Sequence, residues 1–365
     1  MSTRNKAAAF LLGGALAIWA QQAPPSLKVN FPADSPVALL SVGSGESRSE
    51  ARGGALVLDL HTALTLRNAG PRPIRGITLL VQAQEFTPGG KGSVAVPSLD
   101  VRPGETFPIR IDLRLLRPLL AGGGPLAEVS LDGVLFDDLS FYGPDRLNSR
   151  RSMTVWELEA RRDRRYFKSV LDARGPDGLR QEIVRSVGRM ALRLDVQVVR
   201  RGRATALAAG ERECKFAFLR IPDSPVEPVG GMANITASEA RAPRIDVVNR
   251  SSRDVRYFEI GWIIKDRDGR EFLAGSVPAA SSGLKLAPGA KSQVFEDVAL
   301  KFSREAGQPV AIEGMTGFVS QVEFADGSIW IPSRTALAPS PEEQRLADLY
   351  RRRGLPVLIN ELKKY

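Results

Sequence analysis

The sequence predicts a mainly β protein: two tandem antiparallel immunoglobulin-like β-sandwiches, each with a C-terminal amphipathic helical tail. Three observations carry that expectation. One unit occurs twice in the same order, apolar residues inside each copy recur with a period of two, and Gly, Pro and Asn signals cut the alternating runs apart.

The repeat comes first because it sets the boundaries. "FPADSPVALLSVG" at 31–43 echoes "RIPDSPVEPVGG" at 220–231, and "LTLRNAGPRPIRGITLLV" at 64–81 echoes "IDVVNRSSRDVRYFEIGW" at 245–262. In the second pair Asn68, Arg72 and Arg75 fall opposite Asn249, Arg253 and Arg256. "LDVRPGE" at 99–105 answers "LKLAPGA" at 284–290, and "VLFDDLSFYGPDR" at 134–146 answers "VEFADGSIWIPSR" at 322–334. Copy one is expected over 26–174 and copy two over 212–365, with a connector over 175–211 that reads as a helix followed by a strand. The Gly-rich stretches "SVGSGESRSEARGG" and "AGGGP" read as loops.

The strands follow from alternation. Ile77, Leu79, Val81 and Ala83 line one face in copy one, and Phe258, Ile260, Trp262 and Ile264 line one face in copy two. "DRDG" at 266–269 reads as a hairpin with a type I′ turn, in preference to a calcium loop, since Asp266 and Asp268 give too few oxygen ligands. "VEFADGSIW" at 322–330 poses a similar choice between an acidic ligand loop and a hairpin tip. Its counterpart keeps the apolar, acidic and aromatic positions but has Leu135 in place of Glu323, which favours the hairpin.

The tails complete each copy. Ser340 with Glu343 makes a capping box, Pro341 takes the first helical position, and Gly354 separates two short amphipathic helices. In copy one Thr154 and Glu157 form the equivalent box, and Tyr166, Phe167, Val170 and Leu171 are the apolar face.

With the turns in place, "IDVVNRSSRDVRYFEIGWIIKDRDGREFLAGSVPA" followed by "LKLAPGAKSQVF" resembles the small bacterial immunoglobulin-like modules of the FxLYD type. The resemblance spans Ile245 to Phe295 and, more loosely, Leu64 to Ile109; the eponymous tetrad is absent. It implies an extracytoplasmic, non-catalytic accessory module.

Function is bounded mainly by exclusion. Residues 1–20 have the layout of a signal peptide, with Arg4 and Lys6, an apolar run from Ala7 to Trp19 and Ala20 at the cut; an uncleaved anchor is the alternative. The location expected is periplasmic or secreted. The single cysteine, Cys214, cannot form an internal disulfide and alternates with Phe216 and Phe218 as on a half-buried strand. His61 is the only histidine, on a strand and without a nucleophile motif, so neither a serine triad nor a zinc site is expected. Neither cofactor nor nucleic acid is implied. The sequon at Asn234 bears only on a eukaryotic route, and Asn249 reads as the repeated turn residue.

The formal charge is +10, and arginines cluster in the tails. Arg164, Arg165, Arg351, Arg352 and Arg353 are the candidate anion-binding residues, facing envelope glycan or polymer; the competing reading is a solvated helix face. The leading expectation is an exported, non-enzymatic structural or protein-interaction module whose partner is an envelope protein. A hydrolase working through two carboxylates alone stays open.

Overall fold

The computed structural model describes residues 27–43, 45–119, 125–190, 193–200, 210–279, 283–295, 298–304, 307–334 and 340–365. The expected signal peptide and most of "AGGGP" lie outside these. The protein is mainly β. Its strands are β1 (Leu27–Asn30), β2 (Val37–Val42), β3 (Arg48–Arg52), β4 (Ala55–Asn68), β5 (Ile74–Gln82), β6 (Lys91–Val96), β7 (Thr106–Pro118), β8 (Ala127–Phe136) and β9 (Phe141–Tyr142) before the first helix, α1 (Ser149–Met190). After it come β10 (Arg193–Arg200), β11 (Arg212–Lys215), β12 (Ala217–Phe218), β13 (Val226–Thr236), β14 (Glu239–Asn249), β15 (Val255–Asp266) and β16 (Glu271–Pro278). β17 (Lys291–Val294), β18 (Val298–Ser303), β19 (Ile312–Phe324) and β20 (Ile329–Trp330) lead to α2 (Pro341–Arg353) and α3 (Leu355–Leu362).

Contacts divide the chain into two units: Met1–Ala69, Leu79–Val94 and Gly104–Leu131 form one, and Gly70–Thr78, Ala95–Pro103 and Asp132–Tyr365 the other. The tail of copy one groups with copy two, because its apolar face is covered by α2 and α3.

In the first unit β4 is the organising strand. It pairs antiparallel with β7 from Ala55 opposite Pro118 to Arg67 opposite Thr106, and with β2 and β3. Its inward residues Leu58, Leu60, Leu64 and Leu66 are buried, as alternation requires. The segment read as one Gly-rich loop contains β3: Gly53 and Gly54, both at positive φ, turn the chain so that Arg48–Arg52 lies along β4. That polar strand has no apolar alternation to announce it. β5, whose residues up to Thr78 belong to the second unit, differs from expectation in burying both faces, since Thr78 and Leu80 are covered as well as Ile77 and Leu79.

In the second unit an eleven-stranded sheet runs β11-β13-β14-β18-β10-β16-β15-β19-β12, with β17 on β14 and β20 on β19. Its two ends, β11 and β12, are separated in the chain by Phe216 alone, whose N–H bonds Gly231 of β13. The path therefore nearly returns on itself, in barrel-like fashion. β10, the expected connector strand, joins the other side, parallel to β16 and antiparallel to β18. The interior holds Phe258, Ile260, Trp262 and Ile264 of β15, with Phe216 and Phe295 against Trp262 at ring separations of 5.0 and 6.3 Å. Cys214 belongs to this core.

The helices of this unit form their own cluster. Phe167, Leu179 and Ile183 of α1 pack with Leu346 and Ala347 of α2 and Leu358 and Leu362 of α3. Thus the two tails cover each other. α1 starts at Ser149, five residues before the expected Thr154, because the Asp145 carboxylate accepts from the N–H of Arg150 and the Ser149 hydroxyl. Thr154 bonds back to the Arg150 carbonyl as an interior helical residue. At Gly175, φ 66°, and Pro176 the helix breaks into two runs, the second being the expected connector helix. α2 keeps the expected cap: Ser340 accepts from the Glu343 N–H and Gly354 ends the helix at φ 80°. Among the described residues no helix is long and apolar enough to cross a membrane.

Candidate functional site

The five arginines singled out from the sequence separate into two kinds. Arg164, with 3% of its side chain exposed, donates from Nε to Glu342 at 2.8 Å and faces Glu157 at 3.9 Å, under the ring of Tyr365. A guanidinium so enclosed is part of the packing, with its Nη2 buried and without a hydrogen-bond partner. Arg165 is exposed and, among the described residues, bonds the Arg161 carbonyl through Nε. Arg351 sits 3.4 Å from Asp348, while Arg352 and Arg353 are exposed and have no acidic partner among the described residues.

Around Arg164 lies a charge network that the sequence did not announce. Asp163 is buried and accepts from Arg162 at 2.9 Å and from the Ser340 hydroxyl at 2.6 Å. Glu342 also takes a bidentate bond from Arg345, at 2.8 and 2.7 Å. Burial opposes its ionisation, yet Arg345 and Arg164 hold its carboxyl below the usual carboxylate range. Arg334, which no sequence argument selected, bonds Glu343 at 2.9 Å and stacks on Tyr166 and Phe167 at 3.7 and 4.6 Å. Its only trace in the sequence is that it matches Arg146 of copy one.

The helices carry a net positive charge. Residues 149–190 and 341–365 contain seventeen Lys or Arg and ten Asp or Glu. Five of those acids, Glu157, Asp163, Glu182, Glu342 and Glu343, are buried. Each of the five pairs with an arginine, the buried Arg164 among them, so the positive excess of these helices stays that of their composition.

Beside these helices, a cleft of about 1130 Å³ is bounded by β10, β16 and α2. Arg193, Arg304 and Arg351 line it with Gln197, Gln308 and Gln344, against Asp195 and Asp348. Arg304 lies 5.0 Å over Phe272, and its Nε is buried without a hydrogen-bond partner. Near Arg193, Glu159 of α1 is pushed up to about 7, first by burial and then by Asp163 and Glu259, against the pull of Arg162 and Arg193. Arg351 already faces Asp348 and Arg304 lies 3.7 Å from Asp266, so Arg193, the amides and the unpartnered Arg304 Nε are what the cleft can offer a polyhydroxylated or anionic chain.

The hairpin "VEFADGSIW" is where sequence and geometry meet most closely. Arg253 donates from Nη2 to Asp326 at 2.5 Å and to Ser328, and lies 3.8 Å over Phe324. In copy one Arg72 donates from Nη1 to Asp138 at 3.0 Å and to Ser140, and lies 4.1 Å over Phe136. Both turns close the same way, with N–H bonds from Gly327 to Phe324 and from Leu139 to Phe136, the third loop residue being left-handed at φ 82° and 66°. The acid is an internal clasp. Hydrogen bonds to Ser140 and to Arg72 hold Asp138 at about 2, and Asp326 is lowered by Ser328 and Arg253. The "DRDG" loop has that same form: only Gly269 is at positive φ, so a type I turn with a left-handed third residue replaces the expected type I′. Asp266 accepts there from the N–H groups of Asp268 and Arg270.

Glu323 differs from the clasp acids. It is buried and joins two elements, accepting from Arg151 of α1 at 2.5 Å and from Arg256 of β15. Arg151 also lies 3.6 Å over the Tyr257 ring. Copy one has Leu135 here, and its Arg75 pairs instead with Asp100 at 2.6 Å.

His61 and Asp112 form an exposed cross-strand pair at 3.0 Å, and Ser47 bonds the main chain of His61, leaving the ring alone. Asn249 is buried, donating to the carbonyls of Arg253 and Leu286, which is the turn role expected of it.

No family model matches the chain, and no curated protein matches it. Among solved structures, pT26-6p is 9% identical, with 89% of this chain and 74% of that one covered and a TM-score of 0.18. Red sea bream transglutaminase is 8% identical, with 82% and 32% covered and a TM-score of 0.13. A β-glucosidase from Kluyveromyces marxianus is 9% identical, with 73% and 45% covered and a TM-score of 0.14. Likeness of this degree carries no argument about fold or activity.

Proposed function

We propose that the protein is an exported, non-enzymatic pair of tandem immunoglobulin-like modules, a structural or protein-interaction component of a bacterial cell envelope. The observation that carries this reading is the clasp repeated at Arg72, Asp138, Ser140 and Phe136 and again at Arg253, Asp326, Ser328 and Phe324. Other bonds recur with it. Asn68 and Asn249 each accept from a glycine N–H, of Gly104 and Gly289, at 2.8 and 2.9 Å, and Ser35 and Ser224 cap the entering strand alike. Duplication of a β module explains two such sets at matched positions, and the FxLYD-type resemblance supplies the immunoglobulin-like form. Most charged groups that catch the eye serve packing, which suits a scaffold. Affinity purification from the native envelope tests the reading: one stoichiometric protein partner supports it, and turnover in a broad ester and glycoside screen removes it.

A second reading, binding of an anionic envelope polymer, is favoured by the surface excess of cations and by Arg351 lining the α2 cleft. Arg165, Arg352 and Arg353 would extend that surface; Arg164 would not take part. Salt-sensitive retention on an anionic glycan that disappears in the Arg351→Ala, Arg352→Ala, Arg353→Ala variant supports it. Unchanged retention removes it.

A further inference from the structure

A second cleft, of about 740 Å³, opens beside Glu323. We propose that it binds the carboxylates of an acidic, partly apolar peptide segment of a partner protein. The proposal rests on the interaction-module reading for the kind of partner, and on the following geometry for the site.

Charge is the first part. Arg150, Arg151 and Arg256 all line the cleft, yet Arg151 and Arg256 share the single carboxylate of Glu323. Arg150 is exposed, and its side chain has no acidic partner among the described residues. A Cβ placed on Gly327 at the hairpin tip would lie 3.7 Å from Arg150 Nη2 and 3.9 Å from Arg256 Nη2, so the two cations stand together. The other lining carboxylate, Asp145, accepts from the Arg150 N–H at 2.9 Å and serves the start of α1. Adjacent guanidinium groups with too few carboxylates leave a positive potential that an incoming anion relieves. Planar forks of this kind suit a carboxylate through paired N–H bonds.

The floor is the second part. Phe258, Pro278 and Leu284 give it an apolar base, and Arg151 is fixed over Tyr257 at 3.6 Å. Cations that are already held in place lose little freedom on binding. A ligand carrying acidic groups on an apolar stem matches both surfaces, whereas a sulfated glycan matches only the charge. In copy one, Leu135 and the pairing of Arg75 with Asp100 leave no counterpart.

The test is fluorescence anisotropy of a labelled octapeptide alternating Glu and Leu, with its Gln-for-Glu analogue as control. Arg150→Ala removes an exposed group with no acidic partner among the described residues, and is expected to leave the fold intact. It is expected to weaken binding roughly tenfold or more, as loss of one charge-assisted hydrogen bond does, and the Gln peptide is expected to bind no better. Equal binding by Arg150→Ala overturns the proposal. So does equal weakening by Arg352→Ala, or stronger competition from a sulfated oligosaccharide than from the peptide. Capture of an envelope protein equally by wild type and Arg150→Ala sinks this site while the interaction-module reading survives. Specific peptide binding without any envelope partner supports the site and removes that reading.

Discussion

Glu323→Ala tests whether the private acid of the second hairpin joins helix to sheet. The carboxylate has 6% of its side chain exposed, while its partners Arg151 and Arg256 are 31% and 44% exposed. Breaking a fully buried ion pair costs about 3–5 kcal/mol. Here the released guanidinium groups regain water over about a third of their surface, which brings the expected loss to roughly 2 kcal/mol. Glu323→Leu installs the copy-one residue and returns apolar burial that offsets about half of that loss. In the cycle with Arg151→Ala, a coupling of about 1–2 kcal/mol is expected, since Arg256 keeps Glu323 paired in the single Arg151 variant. Urea unfolding followed by tryptophan fluorescence is the suitable assay, because Trp156, Trp262 and Trp330 all belong to the second unit. A loss below about 0.5 kcal/mol for Glu323→Ala, the range of neutral surface changes, would refute the reasoning. Zero coupling to Arg151 would do so independently.

Three further expectations concern other elements. Leu139 holds φ 66° where the matching Gly327 holds φ 82°, so Leu139→Gly is expected to stabilise by roughly 1 kcal/mol and Gly327→Leu to destabilise by at least as much, read from urea midpoints. Glu342→Ala leaves the buried Arg164 with only Glu157, at 3.9 Å, and Arg345 with only Glu361, and is expected to cost about 3 kcal/mol with loss of helical circular dichroism, whereas Arg352→Ala stays within about 0.5 kcal/mol. Glu159 has its folded value raised to about 7 from 4.5, so the folded state holds a proton that the unfolded state has lost. Its contribution therefore turns unfavourable as pH rises from about 4.5 to 7, by on the order of 3 kcal/mol, and Glu159→Gln should flatten that slope in melts at pH 5 and pH 8.

Legibility in the sequence followed locality. Turn chemistry was readable: Asn249, Ser340, Gly354 and the Asp326 hairpin sit where spacing put them, because each is decided by bonds within a few residues. Alternation likewise gave the buried face of β15. β3 escaped because a polar strand made by a Gly53-Gly54 turn has no apolar period to read. The candidate site was legible only as a list of arginines. What separates Arg164 from Arg352 is a carboxylate 178 positions away, Glu342, and sequence spacing holds no sign of that pairing. Arg334 and Arg304 were missed for the same reason, being defined by stacking on Phe167 and Phe272 from distant segments.

The mutual cover of the helical tails has a consequence for synthesis. Phe167, Leu179 and Ile183 are complete long before the ribosome reaches Leu346, Leu358 and Leu362, which bury them. At about 5–20 residues per second, that gap corresponds to roughly 10–30 s during which a greasy, arginine-studded helix waits uncovered. Whatever escorts the nascent chain must shield that stretch, and a truncation after Arg334 should yield folded strands that aggregate through it.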